Sequence, residues 1–121
     1  MTKITAIVRA DKLKAVEQAL REVGAPGFTY YDVKGHGREV QHHTHISSGS
    51  GTEAVIVSDI VADVLPRVKF EIVCAEDKCA ATMDAIRKAS STNEHGDGII
   101  YTEEVGTITR IQTGEVGDKA L

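Results

Sequence analysis

A strand–helix–strand pattern occurs twice in this chain, and that recurrence limits the fold more than any other feature. Lys3 to Arg9 alternates, with Ile4, Ala6 and Val8 on one face and Thr5 and Ile7 on the other, which is the period of a strand. Asp11 then stands as a helix N-cap, and Leu13, Val16, Leu20 and Val23 recur at helical spacing. Gly24 supplies the stop and Pro26 follows it. Phe28 to Lys34, rich in aromatic and β-branched residues, is a second strand. The pattern then repeats. Val68, Phe70 and Ile72 alternate with Lys69, Glu71 and Val73, and Glu76 to Ser90 is a helix with Cys79, Met83 and Ile86 on its inner stripe. Ile99 to Glu103 and Thr107 to Gln112 are expected as two more strands across a tight turn at Gly106. Two βαβ halves make an α+β, ferredoxin-like sandwich with its helices on one face.

The halves are separated by a break in composition. Gly35-His36-Gly37-Arg38 ends the second strand and opens a stretch of His, Ser, Gly and Thr from Glu39 to Thr52. A long loop follows the second strand on this reading, with ordered chain resuming towards Val68; loops of that length are functional or disordered. Ala54 to Leu65 is too apolar for a solvated loop. It extends the third strand or forms one short helix after Ser58, and Pro66 ends either form.

At 121 residues the chain is expected to be a single domain, 1–121, with a flexible loop at about 37–64 and a C-terminal segment at 113–121. Only 4% of residues are aromatic, so the core is aliphatic. A net charge of −4 argues against a nucleic-acid surface. There is no signal-peptide pattern and no apolar run long enough to insert in a bilayer, so a cytoplasmic protein is the expectation. Cys74 and Cys79 are too few for a disulfide framework; a C-x4-C spacing with no second pair favours buried free thiols over zinc. A four-stranded sheet with helices on one side leaves the other face bare. Thr29, Tyr31, Lys69, Glu71 and Arg110 fall on strands of that sheet, which points to a closed symmetric oligomer with clefts between subunits.

Three segments set glycine beside charge: Gly35-His36-Gly37-Arg38, His95-Gly96-Asp97-Gly98, and Arg110 to Glu115. Glycines let backbone N–H groups approach an anion, and guanidiniums supply forked donors for phosphate. Each alone is more simply a turn. Together they favour an anion or nucleotide cleft. His42, His43 and His45 suit zinc, copper or nickel, but a solvated polar loop or partner contact is the preferred reading, and no metal site is assigned. No Ser-His-Asp or paired-carboxylate spacing argues for an enzyme.

The blocks carry a resemblance. Lys3 to Arg9 with Lys12-Leu13, Gly27-Phe28-Thr29, Val33 to Arg38, Leu65 to Val73, Gly96-Asp97-Gly98 and Arg110 to Glu115 resemble, in order, the PII signal-transduction proteins. The match covers nearly the whole chain apart from the loop. The resemblance implies a homotrimer binding adenine nucleotide (ADP, AMP or ATP) between neighbours. By the family pattern, Ile7, Thr29, Glu71 and Val73 surround the base and ribose, and Gly35, Gly37, Arg38, Gly96, Asp97, Gly98 and Arg110 meet the phosphates. It also implies a partner loop that docks on a target protein, a transporter or metabolic enzyme of nitrogen or carbon metabolism. That loop holds Gln41, His42, His43, His45, Ser47, Ser48 and Ser50.

The departures from the pattern concern charge. Glu39 stands where the family has a glutamine that helps hold magnesium and 2-oxoglutarate, Ile99 stands for a lysine, and Gln112 for a second arginine. Arg67 keeps the charge of a lysine, and Glu39 and Arg67 are the effector or anion residues of this reading. Each missing charge-assisted contact is worth about 1.5–3 kcal/mol, which implies more tolerance of ADP or AMP and leaves the place of magnesium open. Some relatives of this kind pair such nucleotides with bicarbonate. The loop has no tyrosine, which excludes tyrosine uridylylation there, and serines in a glycine-rich segment are more simply flexible linker than phosphorylation sites. The rival readings are a metal-binding trimer using the loop histidines and a structural trimer with a degenerate cleft.

Overall fold

The computed structural model describes residues 1–46 and 54–121, with side chains described outside 36–64. The chain forms two compact units, Met1–Val33 with Pro66–Leu121, and Lys34–Leu65. Strand β1 spans Thr2–Arg9, and a 3-10 turn at Ala10–Lys12 leads into helix α1, Leu13–Glu22. Strands β2 (Phe28–Ile46) and β3 (Ala54–Cys74) follow, then helix α2 (Glu76–Ser90), strand β4 (Gly98–Glu104) and a C-terminal 3-10 turn at Gly117–Ala120. The sheet order is β2-β3-β1-β4. Strand β1 pairs antiparallel with β3 from Thr2↔Cys74 to Arg9↔Arg67, and with β4 from Thr2↔Glu104 to Val8↔Gly98. This is the ferredoxin-like α+β arrangement anticipated from the two βαβ halves.

The alternation of β1 and β3 is what fixes this register. Ile4, Ala6 and Val8 are buried with Val68, Phe70, Ile72 and Cys74 on the helix side of the sheet. Val16 and Leu20 of α1 and Ile86 of α2 close that core. Phe28 and Tyr30 pack their rings on Phe70 at centroid distances of 6.0 and 5.4 Å. A one-residue slip would turn all of these side chains to the other face. Helix α1 stops in a Schellman motif. Gly24, at φ 72°, donates to the Arg21 carbonyl at 3.1 Å, and Ala25 donates to Leu20 at 3.0 Å.

Four expectations change. Asp11 does not cap α1: it lies in the 3-10 turn, and its carboxylate takes the Arg9 guanidinium instead. Strand β3 begins at Ala54 rather than near Val68, and β2 continues to Ile46, so the expected loop is largely extended backbone. The choice left open for Ala54 to Leu65 falls to strand extension. Pro66 does not end the strand. It lies one position beyond the last β1–β3 pair, Arg9↔Arg67, so its missing N–H removes nothing from that ladder.

The fourth change is at the C-terminal end. Thr107 to Gln112 is not a strand, and Arg110 is therefore not on the sheet. The segment folds back on itself through one bridge, Thr109↔Val116. Arg110 and Glu115 share a backbone hydrogen bond at 2.9 Å, and Gly114 donates to the Arg110 carbonyl at 2.8 Å. Gly114 and Gly117, at φ 74° and 81°, make that reversal possible. Ile111 is fully exposed, so no buried face pins the segment to β4.

Candidate functional site

Two clefts lie at opposite ends of β1. The first, about 300 Å³, is formed where Ile7 and Val8 meet the start of β4 and the end of α2; Asp97, Gly98, Ile99 and Arg87 line it. The second, about 550 Å³, opens where Lys3 and Val73 meet the start of β2; Thr29, Glu71, Arg110 and Leu121 line it. Lys3 and Ile7 are four positions apart on one strand, about 13 Å at the usual rise.

The first cleft is built by backbone that only glycine can follow. Gly98 has φ 110°, and a Cβ there would sit 1.8 Å from the Ile7 carbonyl oxygen. Gly96, at φ 92°, turns the chain towards it. The Asp97 carboxylate accepts the Thr92 backbone N–H at 2.7 Å and the Thr92 hydroxyl, which closes the loop before β4. Those hydrogen bonds hold the Asp97 carboxyl below its ordinary range. Asp97 is thus a staple of the loop. Arg67 also has a structural task, because its guanidinium donates to the Gly96 carbonyl.

The second cleft adjoins a charged patch on the sheet face away from the helices. The Tyr31 hydroxyl donates to the Glu71 carboxylate at 3.1 Å. Lys3 lies 3.4 Å from Glu103 and 4.0 Å from Glu71. The Lys69 ammonium sits 5.7 Å from the Tyr31 ring centroid. Its hydrogen bond with Tyr31 raises the Lys69 pKa above the ordinary lysine value. Ile99 and Tyr101 are exposed on β4, and the Thr5 hydroxyl is buried with no partner among the described residues. The bare face expected from the strand pattern is therefore present, and it mixes apolar and charged groups.

The residues singled out in the sequence separate accordingly. Ile7, Asp97 and Gly98 come together at the first cleft, with Gly96 in the turn that forms it. Thr29, Glu71, Val73 and Arg110 come together at the second. Gly35 lies on β2, as do Gly37, Arg38, Glu39, Gln41, His42, His43 and His45, whose side chains are outside the described residues. Ser47, Ser48 and Ser50 lie outside the described residues altogether. Among the described residues no cluster of His, Cys, Asp and Glu has the arrangement of a metal site. Cys74 and Cys79 are free thiols. Sequence reasoning missed Lys3, Arg87 and the chain end at Ala120 and Leu121. Lys3 carried a signal, since it shares a face with Thr5 and Ile7; Arg87 looked like any exposed helical cation.

The fold defines this chain as a ferredoxin-like α+β domain with a bare sheet face. The family model described as nitrogen regulatory protein P-II matches residues 1–115. Nitrogen regulatory protein P-II of Rhizobium meliloti (strain 1021) is 40% identical over 121 residues, covering all of both chains. The protein of that name from Cereibacter sphaeroides is also 40% identical over the full length of both. Nitrogen regulatory protein P-II 1 of Escherichia coli (strain K12) is 39% identical over the same span. The chain belongs to the nitrogen regulatory protein P-II family.

Proposed function

We propose that this protein is a non-enzymatic signal-transduction regulator that binds an adenine nucleotide between the subunits of a homotrimer. A small anion, bicarbonate or 2-oxoglutarate, acts with the nucleotide. The segment at 37–64 carries the signal to a target protein, a transporter or metabolic enzyme of nitrogen or carbon metabolism. The observation that carries this reading is the division of the nucleotide residues. Ile7, Asp97 and Gly98 line one cleft, while Thr29, Glu71, Val73 and Arg110 line another at the far end of β1. A closed ring that sets one chain's first cleft against its neighbour's second brings the two half-sets onto one ligand. The exposed Ile99, Tyr31 and Tyr101 are apolar surface such a ring would cover.

The ligand signal would pass through Arg38 and Glu39 at the base of that segment, a local ordering change of the kind used by other switches. Glu39, Ile99 and Gln112 lower the positive charge offered to a triphosphate, which favours ADP or AMP. Calorimetric titration with ATP, ADP and AMP tests the reading, alone and with bicarbonate or 2-oxoglutarate, alongside sedimentation for the trimer. Micromolar binding of at least one nucleotide is expected, and Arg110→Ala should weaken it tenfold or more, on the order of 1.4 kcal/mol. No binding of any of the three below millimolar concentration overturns it.

A further inference from the structure

We propose that Arg87, on the last turn of α2, is the phosphate-binding cation of the first cleft. The inference rests on the nucleotide reading above and adds a residue to it. The start of β4 cannot supply the charge. Strand β4 reads Gly-Ile-Ile-Tyr-Thr-Glu-Glu and contains no lysine or arginine. Residues 91–97, which lead into it, contain none either. Ile99, beside the glycine turn, is apolar and 60% exposed.

Three arginines lie on the elements around this cleft, and two are already committed. Arg9 is held by Asp11, with Nε 3.3 Å from the carboxylate. Arg67 donates to the Gly96 carbonyl. Arg87 is exposed, lines the cleft, and makes no ion pair among the described residues. Its neighbour Lys88 is paired to Asp84 at 2.9 Å and does not line the cleft.

Of the other polar side chains lining the cleft, two are spent and the third, Ser91, is an uncharged hydroxyl. The Asp97 carboxylate is taken by Thr92, and the Ser90 hydroxyl donates to the Ile86 carbonyl at 2.6 Å. Arg87 is thus the one cation among the described lining residues, facing a pocket whose floor is backbone at Gly98 and the aliphatic side chains of Ile7, Val8 and Ile100. A planar guanidinium in that position presents a two-pronged donor to phosphate oxygens, with apolar walls that reduce competition from water. A cation in the last turn also suits the negative end of the α2 dipole, so the residue is tolerated there without a ligand.

The test is calorimetry on the full chain with ADP, AMP and adenosine, for the parent, Arg87→Ala and Arg87→Lys. Far-ultraviolet circular dichroism and sedimentation confirm that each variant keeps its fold and assembly. The expected result is a tenfold or greater loss of ADP and AMP affinity in Arg87→Ala, adenosine affinity within twofold of the parent, and Arg87→Lys between the two. An Arg87→Ala variant that binds ADP within twofold of the parent overturns the assignment while leaving the nucleotide reading intact. Equal loss for ADP and adenosine also overturns it, since that marks a change of shape rather than of phosphate contact. A parent protein that binds none of the three overturns the nucleotide reading itself, and this inference with it.

Discussion

Substituting Gly98 by alanine should be among the most damaging single-methyl changes available in this chain. The added Cβ would stand 1.8 Å from the Ile7 carbonyl oxygen and 2.9 Å from its carbon, both backbone atoms that no rotamer change can move. The residue also sits at φ 110°, where a side chain is strained. Relief requires β4 to withdraw from β1 around the Val8↔Gly98 and Ile7↔Ile99 pairs. The backbone strain is worth about 1–3 kcal/mol. Two weakened ladder hydrogen bonds add about 0.5–1.5 kcal/mol each. The sum is roughly 4 kcal/mol, which for a domain of this length lowers Tm by about 15 °C. Two controls isolate the cause. Gly114 has φ 74° with open space around it, so alanine there meets only the conformational cost, about 1–2 kcal/mol. Gly27 has neither a positive φ nor a neighbour within 4 Å, so alanine should stay within about 0.5 kcal/mol of the parent. Urea and thermal unfolding at one fixed protein concentration measure all three, since assembly makes Tm concentration-dependent. A Gly98→Ala loss below about 1 kcal/mol, or one no larger than that of Gly114→Ala, would refute the close-approach argument.

Three further outcomes are expected. The Asp97 carboxyl should titrate below its ordinary value of 3.8 because Thr92 hydrogen-bonds its charged form. A depressed folded-state pKa stabilises above the unfolded value and is lost as pH falls through the folded one, so the loop at 92–97 should loosen only below about pH 4; a carbon-detected NMR titration with a midpoint above 4 would contradict this. Burial, with the neighbouring Cys79 second, pushes the Cys74 thiol up to about 11, so at pH 8 iodoacetamide should label Cys79 well before Cys74 in the native protein, and equal rates would disprove it. Thr5→Val removes a buried hydroxyl that has no partner among the described residues, and relief of a penalty of about 1–3 kcal/mol should leave stability unchanged or raise it; a drop of more than about 1 kcal/mol would reveal a partner for that oxygen.

How far the sequence could be read varied with the kind of signal. Helix α2 was legible to its ends, Glu76 and Ser90, because its apolar stripe is flanked by acidic residues at the start and basic ones at the finish. The start of α1 was not, because Asp11 pairs with Arg9 two residues before it and lies in a 3-10 turn, a local competition that a capping pattern does not resolve. Thr107 to Gln112 is rich in β-branched residues like a strand yet has no partner in the sheet among the described residues, and strand propensity by itself does not supply one. At the candidate site, the glycines and charged residues were recognisable as a set. Their tasks were not: Asp97 and Arg67 carry charge suited to a ligand, but both are used to hold the turn before β4.

Periodicity and spacing by themselves determined the two βαβ halves and the aliphatic core, because both depend on the order of residue types along a chain with fixed helical and strand repeats; the family resemblance rested on the particular residues of the matching blocks. Tertiary structure alone decided which polar groups remain available. A hydrogen bond between Thr92 and Asp97, or a guanidinium spent on the Gly96 carbonyl, depends on distances of a few tenths of an ångström that no local pattern encodes. The same geometry separated the candidate site residues into two clefts along β1, which follows from the β1–β3 and β1–β4 registers rather than from any single segment.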